Sequence, residues 1–264
     1  MQRPIRGTPR KPQRAQRLLW RGAAAVAALL LAWSGARADD AAWRDLESRI
    51  QYGYYTEDAV ALRNLADAAA AGESHDRLRG YYAGLLAWRQ ALLAVQGSAV
   101  APGASVAQLA QRCVSALDEA LVVDADFAEA LALRAACLEA GGTLTPFAGH
   151  RARHDLDRAL RLAAHDPRVL LLDAMSDYPP VAGRHGYNER ALAKLRRAVA
   201  AFEAERAGAE LLPGWGAAEA WLLLGRDLLE HGDTVAARDA LEHALLIAPQ
   251  FAQARRLMAQ ITAG

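Results

Sequence analysis

Two histidines four residues apart are the first group in this 264-residue sequence whose spacing suits chemistry. His150 and His154 would lie on one face of a predicted helix, where two imidazoles can share a metal ion. The stretch lacks the Glu of an H-E-x-x-H motif, has no evident third ligand and carries three arginines. We therefore expect a solvated helix face there, no metal site, and no cofactor for the chain.

Cys113 and Cys137 are the two cysteines of the chain, and their spacing favours a disulfide. Each lies 12 residues from the centre of a predicted turn at residues 124–126, on one of two consecutive helices. At a rise of about 1.5 Å per residue both sit at the same height, and antiparallel neighbouring helices can bring such Cα atoms within disulfide range. The alternative is two buried thiols at positions that small residues fill.

Two loops that contain proline and glycine carry acidic and aromatic residues. Asp177 and Tyr178 begin the loop at residues 176–189, and Trp215 belongs to the loop at residues 210–217. Such loops either bind ligands or fold back over the edge of a helical stack. Neither contains a nucleophile–base pair or a metal cluster. An enzyme with its site in these loops is therefore the alternative from another functional class, and we expect the chain not to be an enzyme.

Aromatic residues are concentrated between residues 52 and 88. Tyrosine and tryptophan are common at interfaces because one end of the side chain is apolar and the other polar. We expect Trp88 and one member of each tyrosine pair to be buried, and at least one tyrosine to be exposed. The tyrosines of this group are Tyr52, Tyr54, Tyr55, Tyr81 and Tyr82.

The N-terminal segment predicts export. Residues 1–38 contain eight Lys and Arg and no acidic residue, around a 12-residue apolar run over residues 22–33. This run is short for the roughly 20 residues of a membrane span, and Ala36-Arg37-Ala38 matches a small-residue cleavage site. We expect a signal peptide cleaved near Ala38/Asp39 and a periplasmic protein with no membrane span after cleavage.

Removal of that segment changes the charge of the protein. The remaining chain has 23 Lys and Arg against 30 Asp and Glu, a formal charge of −7. An acidic chain without a basic stripe is a poor ligand for nucleic acid or for an anionic membrane surface. We therefore expect a protein or peptide partner, whose identity and stoichiometry the sequence leaves open.

The rest of the chain is typical of an all-α protein, because Ala, Leu, Glu and Arg dominate and apolar residues recur at helical spacing. One pattern repeats: a small residue, Leu four positions later and a small residue three further on. These offsets place all three on one helical face, where a neighbouring helix can approach closely. The five copies are Ala61/Leu65/Ala68, Cys113/Leu117/Ala120, Ala152/Leu156/Ala159, Ala191/Leu195/Ala198 and Ala237/Leu241/Ala244.

The last copy resembles a tetratricopeptide repeat. The residues that match this helix–turn–helix motif are Trp221, Leu224, Gly225, Leu228, Gly232, Ala237, Leu241, Ala244 and Pro249. The chain is similar to exported bacterial proteins of this family whose role is uncharacterised. The resemblance implies a right-handed α-α superhelix, a solenoid of TPR-like helical hairpins. Its copies would span about 75–124, 126–164, 166–207 and 217–249, followed by a capping helix at 250–262 and preceded by N-terminal helices at 39–74 that stack on the array.

Stacking of such pairs implies one continuous core. We expect it to contain Trp88, Leu117, Leu131, Leu156, Leu195, Trp221 and Leu241.

The resemblance also implies a binding surface, the concave face lined by the first helix of each pair. In that register the concave residues are Glu129, Ala132, Ala136, Glu139, Glu219, Leu222, Arg226, Leu229 and Glu230. The implied function is a non-enzymatic scaffold of the cell envelope that binds a protein or peptide. The alternative is an accessory subunit of an envelope assembly or transport system that uses its outer face or the loop at residues 176–189.

Overall fold

The computed structural model describes residues 40–70, 76–97, 105–141, 146–177, 189–206 and 212–263. These residues form eleven helices and no strand, which confirms the all-α prediction. The helices are α1 (residues 40–55), α2 (Ala59–Ala70), α3 (Arg77–Val95), α4 (Val106–Val123), α5 (Ala128–Ala140), α6 (Pro146–Leu162), α7 (Pro167–Met175), α8 (Glu189–Arg206), α9 (Ala217–Glu230), α10 (Thr234–Ile247) and α11 (Ala252–Ala263). The chain divides into two compact units, Met1–Arg44 and Asp45–Gly264.

No helix in the described ranges has both the length and the apolar character that a membrane crossing requires.

Consecutive helices pack against each other in pairs. α3 contacts α4, α5 contacts α6, α7 contacts α8 and α9 contacts α10, while α11 packs on α10 and α2 packs on α3. The four pairs span residues 77–123, 128–162, 167–206 and 217–247.

The repeated small–Leu–small pattern forms the core of these pairs. In the last four copies all three side chains are buried. In the first copy Leu65 is buried and Ala61 is half-buried, while the side chain of Ala68 lies outside the described part. Of the seven predicted core residues six are buried, and Trp221 is the exception. The Trp221 prediction was wrong: its half-buried indole stacks on the imidazole of His243, with ring centroids 4.4 Å apart, and that imidazole is itself 40% exposed.

Two glycines make room for a leucine of the neighbouring helix. A Cβ atom on Gly84 of α3 would lie 2.7 Å from Cγ of Leu117, and one on Gly225 of α9 would lie 2.8 Å from Cγ of Leu241. Both leucines are the central members of small–Leu–small patterns. In these two pairs the first helix therefore needs glycine where the leucine of the second helix inserts.

The predicted disulfide is present between α4 and α5. The Cα atoms of Cys113 and Cys137 lie 6.1 Å apart, within the normal range for a disulfide, and both side chains are buried. The bond links the second helix of one pair to the first helix of the next.

The N-terminal helix α1 contacts the last helices of the chain. The rings of Tyr54 and Tyr55 pack on Phe251, which precedes α11. The carboxylate of Glu57, at the end of α1, accepts hydrogen bonds from both terminal nitrogens of Arg256 in α11. The predicted N-terminal helices thus reach the opposite end of the sequence, in addition to the stacking of α2 on α3.

Candidate functional site

A buried ion pair lies where α1, α3 and α9 meet. Nη2 of Arg89 in α3 donates to a carboxylate oxygen of Glu219 in α9, and the two residues are 1% and 4% exposed. Two residues of α1 complete the contact. The hydroxyl of Tyr55 donates to the other oxygen of Glu219 at 2.7 Å, and Oε1 of Gln51 accepts from Arg89 at 3.2 Å. Burial first, and the charge of Glu219 next, raise the pKa of Tyr55, so its hydroxyl remains a donor.

Aromatic rings surround the Arg89 guanidinium. Its carbon lies 4.0 Å from the ring centroid of Tyr54, 4.8 Å from that of Trp215 and 4.9 Å from that of Trp88. A guanidinium over aromatic faces is attracted by their negative π surface, and this attraction strengthens when water is excluded. Rings and carboxylate together therefore hold this cation in the interior.

Glu47 binds the backbone of the segment that precedes α9, at Gly214. Its carboxylate accepts from the backbone N–H of Gly214 at 2.9 and 3.0 Å and from the hydroxyl of Tyr82 at 2.7 Å. Burial raises the pKa of Glu47 more than these hydrogen bonds lower it. Next to Gly214, the indole N–H of Trp215 donates to the hydroxyl of Tyr81 at 2.7 Å. The segment is thus fixed to α1 and α3 by side chains of both helices.

An open cleft of about 280 Å³ lies over this cluster, and we call it the Tyr52 cleft. Its walls come from α1, from residues 214–218 at the start of α9, and from the end of α10. Its lining includes the polar and aromatic residues Glu47, Gln51, Tyr52, Tyr55, Trp215 and Gln250. Tyr52 is 60% exposed and also lines a wider depression of about 490 Å³ with Thr56 and Val60. The expectation of an exposed tyrosine is confirmed at this position, whereas both members of each tyrosine pair are buried.

The residues predicted for the concave face fall into two groups. Ala132, Glu219 and Leu222 are buried, and the carboxylate of Glu219 is bonded to Arg89 and Tyr55. These three side chains are not accessible to a partner. Six others are at least partly accessible: Glu129, Ala136, Glu139, Arg226, Leu229 and Glu230.

The three loop residues predicted as an alternative site do not form a common accessible surface among the described residues. The carboxylate of Asp177 pairs with Arg190 and lies 3.0 Å from Nζ of Lys194. Trp215 is buried, although it lines the Tyr52 cleft. Tyr178 lies outside the described residues.

Burial and the charge of Asp177 raise the pKa of one residue predicted for the concave face, Glu139. The pKa of Glu139 is raised to about 7, first by burial and then by the negative charge of Asp177. Glu139 at the end of α5 is therefore protonated over part of the neutral range.

The histidine pair lies on a surface helix. His154 is mostly exposed, and its neighbour Asp155 accepts two hydrogen bonds of 2.8 Å from Arg134. Within the described residues no three His, Cys, Asp or Glu side chains converge as metal ligands would.

Comparisons of the sequence with known protein families and with curated proteins yield no match. The chemistry of the site therefore carries the functional argument. The sequence analysis did not identify Glu47, Gln51 or Arg89 as important. A signal was present for the first two, because Glu47, Gln51 and Tyr55 recur every four residues and so share one face of α1.

Proposed function

We propose that this protein is a non-enzymatic binding module of the bacterial cell envelope that holds a protein or peptide partner at the Tyr52 cleft. One observation carries the proposal: a tyrosine that is 60% exposed stands between two surface depressions. Tyrosine is enriched at protein interfaces because it offers a large, rigid contact area with a polar end.

The walls of the cleft are held in place before any partner arrives. Glu47 fixes Gly214, Tyr81 fixes Trp215, and Glu219 fixes Tyr55. A rigid surface loses little conformational entropy on binding, which favours affinity. This is the property expected of a scaffold that presents one fixed surface.

The envelope location rests on the predicted signal peptide over residues 1–38. The disulfide between Cys113 and Cys137 supports it, because structural disulfides persist in oxidising compartments.

The concave face remains a second candidate surface. Its accessible members include Arg226 and Glu230 on α9. The loop at residues 176–189 is a weaker candidate, because the carboxylate of Asp177 is already engaged by Arg190 and Lys194.

Site-specific photo-crosslinking in cells separates these surfaces. We would place p-benzoylphenylalanine at Tyr52, at Arg226, or at Phe147 of α6, which is 80% exposed and serves as the matched control. We expect a discrete protein adduct from position 52 that the other two positions do not give. An adduct from position 226 alone would move the site to the concave face, and no adduct from any position would contradict a binding module.

A further inference from the structure

We infer that the Tyr52 cleft receives a cationic side chain, Lys or Arg, from an extended segment of the partner. This inference rests on the proposed function and specifies which chemistry the partner presents.

The charge of the cleft favours a cation. Among the described residues that line it, Glu47 is the charged one. The guanidinium of Arg89 does not reach the lining and is paired with Glu219. An anionic ligand would therefore face the Glu47 carboxylate without a compensating positive side chain, whereas a cation would gain from it.

Two helix ends at the cleft oppose each other. The start of α9 at Ala217 and Ala218 presents the positive end of a helix dipole, and Ile247 at the end of α10 presents the negative end. These contributions have opposite sign for any charged ligand and offset one another. The Glu47 carboxylate then decides the sign of the preferred ligand.

Aromatic side chains supply the second element of cation recognition. Tyr52, Tyr55 and Trp215 all line the cleft. Cations bind over such rings, with guanidinium and ammonium groups both favoured. The protein already uses this combination internally, because Arg89 lies within 4.8 Å of the Trp215 ring centroid and is paired with a carboxylate. The same tryptophan, although largely buried, also lines the cleft, and there the carboxylate among the lining residues is Glu47.

Size and polarity favour a peptide over a free small cation. A volume of about 280 Å³ suits one long side chain with its adjoining backbone. Nε2 of Gln51 is buried beside the cleft and has no hydrogen-bond partner among the described residues. If the Gln51 side chain turns toward the cleft, this donor can bond to a backbone carbonyl of the peptide, which satisfies a buried polar atom.

Long-range electrostatics act in the same direction. After the predicted cleavage the chain has a formal charge of −7. A basic segment is attracted to an acidic protein before contact, and this attraction weakens as salt increases.

Three tripeptides test the inference: acetyl-Gly-Arg-Gly-amide, its lysine analogue, and its citrulline analogue. Citrulline keeps the shape of arginine but has no charge. Each is titrated into the ¹⁵N-labelled protein, expressed with its N-terminal segment and purified as cells process it. The signals to follow are the backbone amide of Gly214 and the indole N–H of Trp215. We expect saturable shifts with the Arg and Lys peptides, and binding of the citrulline peptide that is about tenfold weaker or more.

Two variants locate the interaction. Glu47→Gln keeps a hydrogen-bond acceptor for Gly214 and should weaken the Arg peptide about tenfold while leaving the citrulline peptide unchanged. If Glu47→Gln does not fold, Tyr52→Ala serves instead, because Tyr52 is exposed; it should weaken Arg binding several-fold.

Equal shifts with arginine and citrulline peptides, or none with either, would overturn the inference. Should position 52 still give its crosslinked adduct in that case, the proposed function would stand and only the cationic occupant would be wrong. If the arginine peptide does not bind preferentially and position 52 also gives no adduct, the Tyr52 cleft is not a binding site.

Discussion

Arg89 on α3 and Glu219 on α9 form an ion pair in the interior although 130 residues separate them in the chain. Tyr55 of α1 donates to the same carboxylate, so three helices depend on one pair of charges. Moving charges out of water is costly, and a buried pair compensates only while both partners are present. Loss of either partner should therefore affect the whole helical assembly.

The first prediction concerns that pair. Arg89→Met leaves the Glu219 carboxylate buried without its cation and should lower the free energy of unfolding by about 3–5 kcal/mol. Urea unfolding measures this change. Adding Glu219→Gln to the variant should recover part of the loss, because no charge is then left uncompensated.

A surface pair of the same chain provides the control. Arg49 lies 3.6 Å from Asp45, and their side chains are 62% and 70% exposed. Arg49→Met should change stability by about 0.5 kcal/mol or less. A similar loss for both arginine variants would show that burial of the Arg89 pair has no special role.

The second prediction concerns the disulfide. Reduction, or replacement of both Cys113 and Cys137 by Ala, should destabilise the fold by about 3 kcal/mol, because the bond closes a loop across a sequence separation of 24 residues. Thermal unfolding with and without reductant measures the effect. The double variant should not respond to reductant. Two titratable thiols in the unfolded, unreduced protein would refute the pairing.

The third prediction concerns the close contact of α3 with α4. Gly84→Ala should destabilise by about 1–3 kcal/mol because the new methyl group meets Leu117, which outweighs the gain of about 1 kcal/mol in helix propensity. Gly80→Ala should cost more. Its Cβ would lie 2.6 Å from the backbone oxygen of Ala116, and backbone cannot turn aside as a side chain can.

Gly149 in α6 is the matched control for these glycines. The nearest atom to a Cβ there is Nη1 of Arg153 at 3.9 Å. Gly149→Ala should therefore leave stability unchanged or slightly improved in the same chemical denaturation assay. Equal changes in stability for Gly80→Ala, Gly84→Ala and Gly149→Ala would argue against tight packing between α3 and α4.

The fourth prediction concerns pH. The pKa of Glu139 is raised from 4.5 to about 7, so the folded protein holds this proton more tightly than the unfolded chain. The contribution of Glu139 to stability is complete below the unfolded pKa and is lost as pH rises through the folded pKa. Glu139→Gln should stabilise the protein by about 1–3 kcal/mol near pH 8 and have little effect near pH 4.

Glu203→Gln on α8 is the control, because Glu203 is exposed. Unfolding midpoints across this pH range should coincide for Glu203→Gln and the unaltered protein. If the unfolding midpoint of Glu139→Gln varied with pH in parallel with the midpoints of those two proteins, the raised pKa of Glu139 would be disproved.

Local patterns predicted much of this fold. The helices, the four buried small–Leu–small patterns and the disulfide all follow from spacing within one or two neighbouring helices. Asp166 caps α7 by accepting from the backbone N–H groups of Arg168 and Val169. Asp58 likewise accepts from the first N–H groups of α2. Such interactions depend on residues close in sequence, which a periodic pattern can show.

The contacts of the site could not be predicted in this way. The carboxylate of Glu57 pairs with Arg256, which lies 199 positions later in the chain. One of Tyr81 and Tyr82 was expected to be buried, and in fact both are, because Trp215 and Glu47 supply partners for their hydroxyls. These partners come from distant parts of the chain, and no spacing rule connects them.

The contacts of α1 also set an order for folding. In a stack of helical pairs most contacts are local, so such a chain can fold progressively from its first pair. Here Tyr55 bonds to a residue 164 positions later and Glu57 to one 199 positions later. During synthesis, or during passage through a membrane channel from the N-terminal end, α1 emerges long before α9 and α11. The apolar face of α1 stays exposed until α9 and α11 have been made, so α1 is the segment that a chaperone would need to shield.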